Sequence, residues 1–194
     1  MKNYLFIHGA FASKHSFNYI EHKIGALGKL WVCQHLEYDS HTENVFDIVE
    51  RGKEILNDNN FEITIVGHSL GGLIALSLAS EKNVKKVVTI SSPLSGIDIS
   101  PLFAPYLLIN CPLLVDVLPQ SKFIRDIKRK DFNIPINVIS TEVNFYPVIP
   151  EPSDGVVTVK SQTSWVPKDA TIDIINASHH EVLQMPEIID KIRA

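Results

Sequence analysis

Ser69 lies at the centre of a glycine-serine-glycine pattern, Gly67-His68-Ser69-Leu70-Gly71. A serine hydroxyl attacks carbonyl carbons when a histidine within hydrogen-bond reach takes its proton and a carboxylate orients that histidine. The pattern alone is common, and an ordinary strand-to-helix turn with a helix-capping serine would also produce it. Its meaning therefore depends on the elements on either side.

The elements that flank Ser69 are a predicted strand and a predicted helix. Residues 61–66 are rich in β-branched side chains, which indicates a strand, and residues 72–80 are rich in leucine and alanine, which indicates a helix. Between them a sharp turn lifts the serine hydroxyl clear of the sheet, and the nearby glycines leave room for strand and helix to approach. The positive end of the helix dipole then faces the serine and favours a developing oxyanion.

The rest of the chain alternates short apolar runs with longer amphipathic stretches. This order predicts an α/β protein with about six mostly parallel strands and helices on both faces of the sheet. The predicted strands are residues 4–7, 30–35, 61–66, 84–90, 134–140 and 171–175, and the predicted helices are residues 17–27, 45–56, 72–80 and about 182–192. We expect a single domain, residues 1–194. The long connection after the fourth strand predicts a small cap insertion at roughly residues 96–131.

Residues 61–79 resemble the nucleophile elbow of α/β-hydrolases, in the form common among lipases and carboxylesterases. The segment His8-Gly9-Ala10, after the first predicted strand, resembles the oxyanion loop of the same family. The resemblance implies that the backbone N–H groups of Ala10 and Leu70 bind the oxyanion of a tetrahedral intermediate. We expect His8 to hydrogen-bond to backbone and hold the loop in shape, outside the catalytic machinery.

The resemblance also implies that serine, acid and histidine follow one another along the chain in that order. Downstream of Ser69 the only histidines are the neighbours His179 and His180, ahead of the last predicted helix. Adjacent residues point in different directions, so one of the two faces Ser69. Residues 179–188 resemble a lipase-type segment in a register that begins at His179. His179 is therefore the predicted base, and His180 is the alternative.

Several carboxylates could orient this histidine. Those that follow the fifth predicted strand are Glu142, Glu151, Asp154 and Asp169. Residues 152–157 resemble the segment that carries the acid in many bacterial lipases, which implies Asp154. Asp98 is the alternative, because some family members place the acid after the preceding strand. The Asp154-Gly155 pair is also typical of a turn, and the two interpretations are compatible.

The expected insertion carries two further family-like segments. Residues 91–96 resemble a T-P-H-x-G-S stretch, with Leu94 where the family has histidine, and residues 116–124 resemble a D-L-x-P-x-S-x-F-L pattern. The apolar residues 102–118 either form a cap over the carboxyl edge of the sheet, where ligands bind in open α/β folds, or complete the core. A cap would favour a substrate with an apolar acyl group.

Composition excludes several other classes of protein. The net charge is −4 and the main basic cluster is residues 125–130, so nucleic-acid binding is not expected. Cys33 and Cys111 lack metal-site spacing and are interpreted as buried thiols. Prolines interrupt residues 101–118, which argues against a membrane span. The apolar start resembles a secretory signal, but cleavage after Ala12 would remove the oxyanion loop, so a cytoplasmic location is predicted.

Together these observations predict a cytoplasmic carboxylic-ester hydrolase of the esterase or lipase type. The predicted catalytic residues are Ser69, Asp154 and His179, with Ala10 and Leu70 forming the oxyanion hole. We expect a small-molecule ester as the partner and no cofactor or metal. Thioesterase, acyltransferase and amidase activities use the same triad and are alternatives, as is a binding protein that keeps the fold without turnover.

Overall fold

The computed structural model describes residues 2–27, 30–97, 112–143 and 151–194, in which six strands form one parallel sheet. The strands are β1 (Lys2–Ile7), β2 (Trp31–Leu36), β3 (Ile63–His68), β4 (Val84–Ile90), β5 (Ile136–Glu142) and β6 (Thr171–Asn176). Their spatial order is β2-β1-β3-β4-β5-β6, and each neighbouring pair is parallel. The predicted fold class is confirmed, with every strand within two residues of its predicted bounds.

Helices cover both faces of this sheet. They are α1 (Asn18–Ala26), α2 (Val45–Asn57), α3 (Leu70–Leu78), α4 (Pro112–Asp116), α5 (Lys122–Lys128), α6 (Val159–Thr163) and α7 (Glu187–Arg193), with short 3-10 helices at Lys14–Phe17 and Glu181–Gln184. The helix after Ser69 begins at Leu70, two residues earlier than predicted. Gly71 and Gly72, which follow Ser69, therefore lie in the first turn of this helix.

The predicted continuous helix at residues 182–192 is wrong. A 3-10 helix ends at Gln184, Met185 is extended with φ −85° and ψ 134°, and α7 begins only at Glu187. Pro186 explains the break, because proline disfavours helical geometry in the residue before it and has no N–H for the helix ladder.

Each face of the sheet carries its own apolar cluster. Along β1, Leu5 and Ile7 belong to the first cluster and Tyr4 and Phe6 to the second, as expected from the two-residue period of a strand. The first cluster includes side chains of α2 to α5, and the second includes side chains of α1 and α7. The central strands are therefore buried on both sides, which keeps their carboxyl ends in fixed positions.

The described part of the predicted insertion completes the core. Leu113, Val117, Phe123 and Ile124 are buried in the first cluster. Residues 98–111 lie outside the described residues, so the cap remains a prediction there. The single domain over residues 1–194 also remains a prediction. Among the described residues, no helix is long and apolar enough to cross a membrane.

The prediction that both cysteines are buried is wrong for Cys33 and untested for Cys111. Cys33 is only half-buried, because it lies on β2, one of the two edge strands of the sheet. Cys111 lies outside the described residues.

Candidate active site

Ser69 occupies a strained turn between β3 and α3. Its φ is 53° and its ψ is −121°, a backbone conformation that side-chain-bearing residues rarely adopt. Its N–H donates a 2.8 Å hydrogen bond to the carbonyl oxygen of Ile90. A Cβ on Gly67 would lie 2.2 Å from the Gly71 oxygen, and a Cβ on Gly71 would lie 2.0 Å from the Ile7 oxygen. The turn therefore exists in this form only with glycine at both positions, as the sequence predicts.

Two neighbouring loops press against this turn. A Cβ on Gly9 would lie 3.0 Å from the Cβ of Ser69 and 3.1 Å from Nδ1 of His68. A Cβ on Gly72 would lie 1.9 Å from Oγ of Ser92. The backbone of the loop after β1 is thus packed against the side chains of His68 and Ser69, and the backbone at Gly72 is packed against the side chain of Ser92, after β4.

Asp154 and His179 form a buried hydrogen-bonded pair beside the turn. Nδ1 of His179 lies 2.7 Å from Oδ2 of Asp154, and the two residues are 4% and 1% exposed. The His179 N–H also donates to the Asp154 carbonyl oxygen at 3.0 Å. Because a carboxylate only accepts, Nδ1 carries the proton and Nε2 is left as the basic nitrogen.

The carboxylate of Asp154 is held by further donors on both oxygens. Oδ1 accepts the backbone N–H groups of Val156 and Val157 at 2.9 and 2.8 Å. Oδ2 accepts the hydroxyl of Thr141 at 2.8 Å and the amide of Gln162 at 3.4 Å. Burial by itself would raise the pKa of Asp154, but the hydrogen bonds and charge of His179 and these backbone donors together lower it below its ordinary value.

Thr141 and Gln162, which donate to Asp154, are themselves fixed by a second layer of buried hydrogen bonds. The Thr141 N–H donates to Oε1 of Gln162 at 2.8 Å, and the Gln162 amide donates to the Thr141 carbonyl at 2.9 Å. The Thr141 hydroxyl is also 2.7 Å from Oγ of Ser91, at the end of β4. Asp154, the predicted acid, is therefore tied to the ends of β4 and β5. Thr141 and Gln162 were not predicted as site residues, although Thr141 lies at the carboxyl edge of the sheet, where ligands bind in open α/β folds. No sequence pattern marks Gln162.

His179 and His180 differ in their surroundings. His179 is buried against Asp154, whereas His180 is exposed, with the two rings 5.1 Å apart. Partial burial, reinforced by the positive charge that His179 can carry, lowers the pKa of His180. The structure therefore brings His179, and not His180, into contact with the predicted acid.

His68, directly before Ser69, is a buried neutral histidine. Its Nε2 lies 2.8 Å from the carbonyl oxygen of His179 and must carry the proton, since a carbonyl only accepts. Burial is the main cause that lowers the pKa of His68 to about 3, and the neighbouring His179 contributes. Nδ1 has no hydrogen-bond partner among the described atoms. His68 thus links the end of β3 to the loop that carries His179.

The loop after β1, which carries the predicted oxyanion residue Ala10, is held by the buried side chain of His8. Nδ1 of His8 lies 2.8 Å from the Gly9 carbonyl, and the Tyr38 N–H donates to Nε2 of His8 at 3.3 Å. Burial lowers the pKa of His8. The prediction that His8 bonds to backbone is confirmed. Ala10 follows in this loop, and Leu70, as the first residue of α3, has an N–H without a helical carbonyl one turn earlier.

A cavity of about 360 Å³ joins these groups, a size within the usual range for small-molecule sites. The described residues that line it are Ala10, Phe11, Ala12, Ser69, Ile97, Leu114, Val156, Val157, His179 and His180. Three predicted site residues, Ser69, His179 and Ala10, therefore share one cavity, with Asp154 directly behind His179. Among the described lining residues, Ser69, His179 and His180 are polar, and the others are apolar.

Of the other carboxylates considered from the sequence, those that the structure describes are not among the residues that line this cavity. Glu142 is half-buried, whereas Glu151 and Asp169 are exposed. Asp98, the alternative acid, lies outside the described residues. Asp154 is accordingly the carboxylate that the described structure brings to a histidine in the cavity.

Comparison with known proteins agrees with this architecture. A family model described as "alpha/beta hydrolase fold" matches residues 28–108. The search of curated proteins gave no match. A monoacylglycerol lipase from Paleococcus ferrophilus has a TM-score of 0.69 at 16% identity, covering 98% of this chain and 91% of that one. The product of gene lin2722 from Listeria innocua has 0.68 at 17%, covering 98% and 92%. A putative thioesterase from Silicibacter sp. TM1040 has 0.66 at 20%, covering 99% and 76%. At these identities the likeness is one of fold.

Proposed function

Since the chain has the α/β-hydrolase fold, we propose that it is a serine hydrolase that cleaves carboxylic esters through an acyl-enzyme on Ser69. One observation carries the proposal above the others. A buried histidine bonded to a buried carboxylate lines the same cavity as a serine on a strained, glycine-framed turn. Fold alone does not imply activity, and it is this arrangement of side chains that supports it.

In the first half of the proposed reaction, Nε2 of His179 takes the proton of Ser69 as Oγ attacks the ester carbonyl carbon. The resulting oxyanion is bound by the N–H groups of Ala10 and Leu70. His179 then gives its proton to the leaving alkoxide, the carbon–oxygen bond of the ester breaks, and an alcohol departs. The acyl group remains on Ser69.

In the second half, a water molecule takes the place of the alcohol. His179 removes its proton as the water oxygen attacks the acyl carbonyl. His179 then returns that proton to Oγ of Ser69 as the bond between Oγ and the acyl carbon breaks, which releases a carboxylic acid and free Ser69. Asp154 keeps its negative charge throughout, and its lowered pKa supports that role. It holds His179 in the tautomer that exposes Nε2 and stabilises the imidazolium of each intermediate.

The cavity favours an apolar acyl group. Phe11, Ile97, Leu114 and Val156 line its wall together with Val157, and Phe11 and Val156 are exposed large apolar residues. Burying such surface on binding contributes about 25 cal/mol per Å² of apolar area. Esters of apolar acids are therefore the proposed substrates, and a thioester with the same acyl group would meet the same wall.

We propose a cytoplasmic location for this activity. Cleavage of a secretory signal after Ala12 would remove β1, which lies between β2 and β3 in the sheet, together with the oxyanion loop. An apolar segment that forms a central strand of the sheet is better explained by core packing.

Labelling with a fluorophosphonate probe tests the proposal directly. We expect the probe to form a covalent adduct on Ser69 of the folded wild-type chain and no adduct in Ser69→Ala. Ser92→Ala is a matched control, because Ser92 is a buried serine at the adjacent strand end, and it should keep the adduct. Folded protein that does not label at Ser69 would instead indicate a binding protein with this fold.

The paired histidines allow a sharp test of the base. His179→Ala should lower kcat on a p-nitrophenyl ester by several orders of magnitude, about 10⁶ in the best-measured triad. His180→Ala removes the same imidazole ring from the neighbouring residue and should retain most of the activity. The reverse result would assign the base to His180 and reject the mechanism as written.

A chain-length series then addresses the substrate. We expect kcat/KM on p-nitrophenyl esters to rise from acetate to longer acyl chains, with thioesters of the same acids tested in parallel. Labelling of Ser69 without turnover of any ester would contradict ester hydrolysis and favour an acyltransferase or an amidase.

A further inference from the structure

Three side chains with metal-binding atoms meet at the outer strand of the sheet, apart from the residues that line the cavity. Cys33 and His35 lie on β2, and Glu21 lies on α1. Because Cys33 and His35 are two residues apart on a strand, their side chains lie on the same face of β2. The sequence spacing alone did not indicate a site, since the third residue comes from a different element.

The donor atoms of these residues are already close together. Sγ of Cys33 lies 3.3 Å from Nε2 of His35, and that nitrogen lies 3.1 Å from Oε1 of Glu21. All three atoms are within 4.8 Å of one another. In a tetrahedral zinc site the sulfur–nitrogen and nitrogen–oxygen separations are about 3.6 and about 3.4 Å. The two separations that involve His35 are therefore within a few tenths of an ångström of those in a zinc site, and the sulfur of Cys33 lies within 4.8 Å of the Glu21 carboxylate oxygen.

The cluster is shielded but reachable. The side chains of His35 and Glu21 are 17% and 24% exposed, and the His35 ring stacks on Phe6 at 5.8 Å. Burial, and then the nearby carboxylate of Glu21, raise the pKa of the Cys33 thiol to about 12. Without a cation the thiol thus keeps its proton, and the cluster is held by hydrogen bonds.

We propose that Glu21, Cys33 and His35 bind one divalent transition-metal cation of the zinc class, with water as the fourth ligand. Thiolate, imidazole and carboxylate are the ligand types that zinc takes in proteins. A bound thiolate and carboxylate balance the two charges of the cation, while the thiol proton is released to solvent. The cation would join α1 to the edge strand β2 and so stabilise that edge of the sheet.

Cobalt binding to the full chain tests the identity of the sulfur ligand. In Cys111→Ser protein, Cys33 is the only cysteine of the chain. We expect one Co²⁺ per chain, with a thiolate-to-cobalt charge-transfer band in the near ultraviolet that disappears when Zn²⁺ is added. Absence of this band, or its appearance only when Cys111 is present, would overturn the proposal.

Variants of the ligands test the rest of the site. Cys33→Ser and His35→Gln should each weaken Zn²⁺ binding by at least about 10–100-fold, the loss that follows from disturbing even an outer-shell partner. His22→Gln is the matched control, because His22 is exposed and follows Glu21 on α1, and it should bind Zn²⁺ as wild type does.

Equal Zn²⁺ affinity in wild type, Cys33→Ser and His35→Gln would overturn the proposal by placing the cation elsewhere. Fluorophosphonate labelling of Ser69 should be the same with and without Zn²⁺. Zinc-dependent loss of that labelling would indicate binding at the candidate active site instead, and would also overturn it.

Discussion

The two sides of the candidate active site are held in different ways. The turn at Ser69 is shaped by backbone atoms in contact, with glycines at positions where any Cβ would overlap a carbonyl oxygen. The side that carries Asp154 is shaped by side-chain hydrogen bonds, with two buried layers of donors behind one carboxylate. We therefore expect the first side to be destroyed by added volume and the second by the loss of polar groups.

The largest effect is expected from added volume in the turn. In Gly71→Ala the new Cβ would overlap the Ile7 backbone oxygen, and backbone at the centre of a sheet cannot move aside as a side chain can. We expect the variant to be insoluble or to lose its cooperative thermal transition, measured by circular dichroism. Gly25→Ala is the control, because the atoms nearest to its Cβ would belong to the Trp31 side chain, at 3.2 Å, and a side chain can move aside; it should fold normally. A wild-type Tm for Gly71→Ala would refute the backbone account.

The next largest effect is expected from substitution of Asp154, the proposed acid. Asp154→Asn can keep the two backbone bonds of Oδ1 but favours the wrong tautomer of His179, so kcat should fall by about 10⁴. The measurement is steady-state ester hydrolysis, with Asp169→Asn as an exposed control that should match wild type. If Asp98→Asn loses activity to this extent and Asp154→Asn does not, the acid has been assigned to the wrong residue.

A smaller effect is expected one layer behind the carboxylate. Thr141→Val keeps the shape of the side chain but removes the hydroxyl that donates to Asp154 and leaves Ser91 without this partner. We expect the free energy of unfolding to fall by about 1–3 kcal/mol, measured by urea titration, and kcat to fall far less than in Asp154→Asn. Thr171→Val, at an exposed threonine of β6, should be close to neutral. Equal urea midpoints for the two variants would show that the second layer adds nothing.

The smallest effect concerns pH and His68, which lies where the two sides meet. The pKa of His68 is about 3 in the folded chain, below the ordinary value of 6.5. Between these two pH values the unfolded chain binds a proton at this histidine and the folded chain does not. The free energy of unfolding therefore falls as the pH is lowered from 6.5 toward 3. Between pH 6.5 and 5.5 the loss should be about 1 kcal/mol.

Urea titrations at these two pH values check this expectation. The pH dependence should be weaker in His68→Gln than in wild type, while His15→Gln, at an exposed histidine, should keep the wild-type dependence. Parallel pH dependences for wild type and His68→Gln would mean that His68 is not the group that titrates.

Much of the fold could be predicted from the sequence because its determinants are local. Short apolar runs predicted the six strands, and the pattern around Ser69 predicted a turn that the structure forms. The resemblance to α/β-hydrolases is confirmed by the sheet, the family model and the solved structures. The break at Pro186 was missed because the apolar periodicity continues across it, although proline chemistry forbids a continuous helix there.

The contacts that could not be predicted join distant segments. Gln162 meets Thr141 and Asp154 only after β5 and α6 have packed, and Glu21 meets Cys33 and His35 only when α1 covers β2. Single side chains of this kind carry no periodic pattern and no motif. Their contacts are set by tertiary packing and cannot be inferred from the residues that are adjacent in the sequence.

The hydrogen bond from His68 to the carbonyl of His179 joins positions 111 residues apart, and it has a consequence for the order of events during synthesis. The ribosome releases Ser69, the proposed nucleophile, long before it releases His179, the proposed base, and the long-range pairings that align them form slowly. A nascent chain that ends before residue 179 therefore carries Ser69 without its proposed base. We expect the reactivity of Ser69 toward an electrophile to arise abruptly, late in translation. The time at which an adduct on Ser69 first forms would then report when folding is complete.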